Sequence, residues 1–193
     1  MSRADLRFLL KVIALVLLVV AGGVIAGFKI FAGGPDPVSL DCEDLAAEAS
    51  SGVTYPVAEP VLERQTSDSA RWCEFAGVGP DGTRDVVRVT VERFEGAAPS
   101  TVDGCAAAVE FPVRDGRGCL TNVDGAGTPG ANGAIATIVL ASGDLRVQVD
   151  ARMSAVTLTR LEGLAVGAGQ GLEAFVLADL ARFAEAAREL AGQ

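Results

Sequence analysis

Four cysteines, Cys42, Cys73, Cys105 and Cys119, are the residues whose number and spacing most directly imply chemistry. The set is even and contains no close pair such as CxxC, which suits two disulfides better than a thiolate metal site. Three pairings are open. Neighbours in the chain most often become neighbours in space, which favours Cys42 with Cys73 and Cys105 with Cys119. The chain has no histidine. That removes Ser-His-Asp and Cys-His nucleophilic sites, histidine-bearing metal sites and imidazole acid/base work. Paired carboxylates could still hydrolyse a glycosidic bond, but only 5% of residues are aromatic, and none of the acids sits in the ring-lined setting that sugar clefts use. No catalytic, metal or cofactor residue is therefore assigned, and the chain is expected not to be an enzyme.

Weaker candidates each have a plainer reading. Trp72, the single tryptophan, could line an aromatic cleft, but next to Cys73 it is expected to fill core space beside a disulfide. Arg114 and Arg117 could receive an anion, yet the stretch RDGRG around them reads as a solvated loop. Residues 122–133 have the Gly, Asn and Pro content of a long loop. Their ligand oxygens, on Asn122 and Asp124, miss the acidic spacing of a calcium loop. Residues 163–171, GLAVGAGQG, place glycines before a helix but lack GxGxxG and GK[ST], so they read as a connector rather than a phosphate cradle.

These residues must be positioned by what surrounds them, and the dominant stretch is residues 8–28, FLLKVIALVLLVVAGGVIAGF. It is uncharged after Lys11, whose stem can snorkel, and so approaches the roughly 20 residues that span hydrocarbon. Arg3, Arg7 and Lys11 precede the apolar run and only Lys29 follows closely, which places the N-terminus in the cytoplasm. The competing reading is a cleaved secretory signal, with Ala26 two positions after Val24 at a small-residue cleavage site. Gly23 and Gly27 form GxxxG, a face against which a partner helix, from another membrane protein or a second copy, could approach closely.

From residue 30 onward there are twelve arginines, no lysine and twenty-four carboxylates, a net charge of −12. Such a domain is repelled by nucleic acid and by anionic headgroups, which excludes nucleic-acid binding. The expected division is a cytoplasmic tail (1–7), a transmembrane helix (8–28), a Gly/Pro linker (29–38) and one extracytoplasmic domain (39–193), where disulfides persist.

Within that domain, Ser39 is expected to cap a short helix with acids in its first turn. An edge strand is expected near 61–65. Residues 71–78 and 84–94 read as a hairpin, with Val87, Val89 and Val91 alternating against Arg88, Thr90 and Glu92. A capping box at Ser100 and Asp103 predicts a helix over 101–110. Residues 134–141 and 145–153 form the clearest hairpin, with Arg146, Gln148, Asp150 and Arg152 facing away from the core. A helix over 172–190 carries an apolar stripe of Leu172, Val176, Leu180, Phe183, Ala187 and Leu190. The fold class is thus α+β: an antiparallel sheet packed by a C-terminal helix and preceded by one N-terminal transmembrane helix.

The layout of a basic start, an apolar helix, an opening helix with Cys42 and Leu45, a Trp72-Cys73 strand, a second cysteine pair and a closing helix resembles small cell-envelope domains of actinobacteria. Domains of that kind occur in secreted lipoproteins of unknown function and as sensor domains of receptor kinases. The chain departs from the former by lacking a lipidated cysteine and from the latter by lacking a cytoplasmic domain, so neither activity carries over. The resulting expectation is a membrane-anchored binding or interaction module of unknown ligand. A carrier of an apolar envelope molecule, held between sheet and helix, is the alternative, with a carboxylate hydrolase behind it.

Overall fold

A computed structural model describes residues 35–50, 60–78, 84–103, 105, 109–110, 116–123 and 133–192. The expected membrane span, with Gly23 and Gly27, lies outside them, as do Arg114 and Asp124. Among the described residues no single helix is long and apolar enough to cross a membrane.

The strands are β1 (Pro60–Ser67), β2 (Ala70–Val78), β3 (Arg84–Arg93), β4 (Val109–Glu110), β5 (Gly116–Val123), β6 (Gly133–Ser142) and β7 (Leu145–Met153). They form one seven-stranded sheet in the order β1-β2-β3-β7-β6-β5-β4. Every pairing is antiparallel. The sheet is two meanders, β1 to β3 and β4 to β7, joined where β7 returns alongside β3. Gly143 and Asp144 close the β6–β7 hairpin, and Gly143 has a φ of 61°, a conformation that costs a residue with a Cβ.

Three helices complete the described domain: α1 (Cys42–Ser50), α2 (Ala155–Gly167) and α3 (Leu172–Ala191). The α+β class, the antiparallel sheet and the C-terminal helix are thus present. The period-two alternation sends Val87, Val89 and Val91 of β3 and Leu145, Val147, Val149, Ala151 and Met153 of β7 to one face, where all are buried. α3 lies across that face against β3, β7, β6 and β5. Its Val176, Leu177, Leu180, Phe183, Ala184 and Ala187 are buried there, whereas Leu172 and Leu190 only flank the core. Phe183 meets Phe75 of β2 with ring centroids 6.0 Å apart, and burying such a side chain is worth about 1.5–3 kcal/mol. Cys42 of α1 is bonded to Cys73 of β2 across 5.6 Å between Cα atoms, which ties the first helix to this layer.

Several local expectations change. Val38 and Leu40 are buried and Ser39 is exposed. The Val38 N–H donates to the Asp68 carbonyl at 2.8 Å, so Val38 packs with the domain. Because α1 starts at Cys42, the cap is Asp41 rather than Ser39: its Oδ1 accepts from the backbone N–H groups of Glu43 (2.8 Å) and Asp44 (3.2 Å). The helix expected over 101–110 is absent from its described residues: 101–103 and 105 are non-helical, and Val109–Glu110 form β4. The turn expected at 114–118 gives way from Gly116 onward to β5.

Residues 163–167, read as connector, are the end of α2. Its cap is Ser154, whose Oγ accepts from the Thr157 N–H at 3.3 Å. The fully buried Asp85 of β3 reinforces that end. Asp85 Oδ1 accepts from the Ser154 N–H at 2.7 Å and Oδ2 accepts from the Thr157 hydroxyl. A carboxylate at a helix N-terminus also opposes the positive end of the helix dipole. At the other end of the helical layer, Arg93 Nη2 donates to the Ala191 carbonyl at 3.3 Å, placing a cation where α3 ends.

Candidate binding face

The side of the sheet away from α3 carries the other half of each strand's alternation. Antiparallel register arranges it in rows that run across the strands. Glu74, Arg88, Asp150, Thr137 and Cys119 make one row, from β2 through β3, β7 and β6 to β5. Val86, Arg152 and Ile135 make the adjoining row on β3, β7 and β6. On the other side lie Trp72, Thr90, Gln148 and Val139.

The first row is a ladder of alternating charge. Arg88 Nη2 donates to Glu74 Oε2 at 2.8 Å, and the Arg88 guanidinium lies over the Trp72 ring at 4.9 Å from its centroid. The Arg88 side chain is 52% exposed, so the ion pair is worth under about 1 kcal/mol and the ring contact about as much. Their effect is to fix where the guanidinium points. Asp150 accepts at Oδ1 from the Thr137 hydroxyl and at Oδ2 from the Gln148 amide, both at 2.8 Å. Gln148 Oε1 in turn accepts from Arg146 Nη2 at 2.8 Å, and Arg146 Nη1 reaches Glu92 at 3.5 Å. Arg88, Asp150 and Arg146 are thus held in place by their neighbours.

Beyond this network the face is partly covered by the segment that follows β3. The Phe94 N–H donates to the Asp144 carbonyl (2.9 Å) and the Ala98 N–H to the Gly143 carbonyl (2.8 Å). Arg146 Nη2 donates to the Thr101 carbonyl (3.3 Å). Cys105 is then bonded to Cys119 of β5. Both favoured cysteine pairings are therefore present, one on each face of the sheet. Alongside this strap remains a groove of about 380 Å³ lined by Glu74, Val86, Arg88, Ile135, Asp150 and Arg152. Its size lies at the small end of ligand pockets.

Trp72 is not the core filler expected beside Cys73. Adjacent residues of a strand point to opposite faces, so Cys73 is buried among the helices while Trp72 is half-buried beneath Arg88 at the side of the groove. Arg117 is exposed on β5, in the row beyond Cys119. The alternation in β3 and β7 had already put Arg88, Asp150 and Arg152 on one face. It held no register between β2, β3, β7 and β6, so the convergence of Glu74, Val86 and Ile135 on the same place was missed. No protein-family model, curated protein or solved structure matches the chain.

Proposed function

We propose that the chain is a single-pass membrane protein of the cell envelope. Residues 8–28 span the bilayer with the N-terminus in the cytoplasm, and the disulfide-bonded α+β domain works outside the membrane as a non-catalytic binding or interaction module. The apolar run and its Lys/Arg asymmetry support the placement, and two disulfides fit an oxidising compartment. The GxxxG face of Gly23 and Gly27 would serve a helix partner within the bilayer.

The observation that carries the binding reading is the groove on the helix-free face, lined by charges that neighbouring side chains already hold in position. Fixing those groups in advance lowers the ordering cost of association. The other two readings fit less well. An apolar carrier would need a cleft between sheet and helix, where Phe75, Val149, Leu177 and Phe183 are instead buried against one another. Glu74 and Asp150 do line one groove, as a carboxylate hydrolase requires, but Arg88 stands between them in the row, and Asp150 is bound by Thr137 and Gln148. Charges paired in this way suit recognition better than proton transfer.

Two measurements on the full chain test this reading. A reporter active only outside the cytoplasm, fused after the last residue, should be active, and the protein should resist alkaline extraction from membranes; a shed product starting past residue 26 would overturn the anchor. A photo-crosslinking side chain at position 88 should give discrete adducts in cells, while the same group at Ala178, exposed on α3, should not. Equal labelling from both positions would remove the docking face.

A further inference from the structure

We infer that the groove takes a short peptide with free ends, its ammonium at Glu74 and its carboxylate at Arg152. The inference rests on the helix-free face being the binding surface and names what that surface would recognise. The lining supplies two guanidiniums, Arg88 and Arg152, two carboxylates, Glu74 and Asp150, and two aliphatic side chains, Val86 and Ile135. Its formal charge is balanced. A polyanion would have to displace Glu74 and Asp150, and a polycation would meet both arginines; a ligand with one charge of each sign at separate ends meets an opposite charge at each.

The spacing selects the length. Glu74 lies on β2 and Arg152 on β7, with β3 between them. Two strand spacings are about 9.6 Å and the two-residue offset of Arg152 along β7 adds about 6.7 Å at right angles, so the two Cα atoms lie about 12 Å apart, a span of three to four extended residues at about 3.3–3.6 Å each. A tripeptide laid across the strands would pass over Arg88 and Val86. Arg88, held on Trp72 and Glu74, has further N–H groups to donate to a peptide carbonyl. Small side chains would rest on Val86 and Ile135, which flank Arg152 in its row. Of the two carboxylates, Glu74 is the ammonium partner: both Asp150 oxygens already accept, from Thr137 and Gln148, whereas Glu74 is bonded to Arg88 through Oε2.

The probe is Ala-Ala-Ala with free termini, titrated by calorimetry into the full-length chain in mild detergent. The emission of Trp72, the single tryptophan, gives a second signal. Binding should saturate, and acetylating the N-terminus or amidating the C-terminus should each weaken it at least tenfold. Glu74→Gln should abolish the discrimination against the acetylated peptide and leave that against the amide, and Arg152→Ala should do the reverse. Equal affinity for the doubly blocked peptide, or no saturable binding, overturns the inference. In the latter case position-88 crosslinking decides how far the failure extends: if it remains face-specific, the docking surface stands and only the ligand class falls, and if it does not, both fall.

Discussion

The two faces of this sheet are made by the same strands and share no side chain. On the helix side β3 and β7 present Val87, Val89, Val91, Val147 and Val149, none more than 2% exposed. On the other side the same strands present Arg88, Thr90, Glu92, Arg146, Gln148, Asp150 and Arg152; Glu92, Arg146, Gln148 and Asp150 are linked to one another by hydrogen bonds and an ion pair, and Arg88 to Glu74. Burial against α3 is what holds the domain together, because apolar area removed from water contributes at every contact. The Arg88–Glu74 pair opposite, whose Arg88 side chain is half exposed, contributes little to stability. The division teaches that exposed positions of the helix-free face, such as Arg88 and Arg152, can be rewritten without unfolding the protein.

That contrast can be broken at several points, the largest first. Phe183→Ala, which empties the contact with Phe75, should cost about 3–5 kcal/mol. It would be read as a fall in the urea midpoint followed by Trp72 emission. A loss under about 1 kcal/mol, the level of an exposed pair, would mean the helix layer does not dominate. Replacing Cys42 and Cys73 together by Ala opens a loop with a sequence separation of 31; loop-closure entropy puts the loss at about 3–4 kcal/mol, checked by the same titration with and without reductant. Asp85→Asn weakens the charge-assisted bonds to Ser154 and Thr157 and should cost about 1–3 kcal/mol. Amide exchange in the first turn of α2 should accelerate before that of β7. Arg88→Ala should lower stability by under about 1 kcal/mol while shifting Trp72 emission, since the ring loses its cation. A midpoint drop as large as that of Phe183→Ala would erase the distinction between the faces.

What the sequence made legible follows the same line. β3, β6, β7 and α3 announce themselves because one face of each is apolar at a fixed period, and the hairpins follow from turn residues between such runs. β5 does not, because Gly116 and Gly118, across from Leu140 and Ile138, occupy core-side positions and read as turn residues. α2 was hidden by Gly163 and Gly167, both on its exposed surface; Ser154, an N-cap residue type directly after β7, was the signal that could have found it. The groove was half legible. Alternation located its arginines and Asp150, and the two hairpins carry Glu74 beside Arg88 and Ile135 beside Arg152, but setting Arg88 opposite Asp150 and Val86 opposite Arg152 needs β7 to close beside β3. That closure depends on contacts between residues some 60 positions apart, beyond any local pattern.

α3 follows in the chain every strand it shelters. A polypeptide emerges N-terminus first, so the oily side of the sheet is complete before its cover exists. Until the last helix arrives, those valines are bare to whatever else is being assembled nearby. A holding factor that grips β-rich chains should therefore bind newly made copies, and removing it should produce aggregates built on that side of the sheet rather than on the charged one.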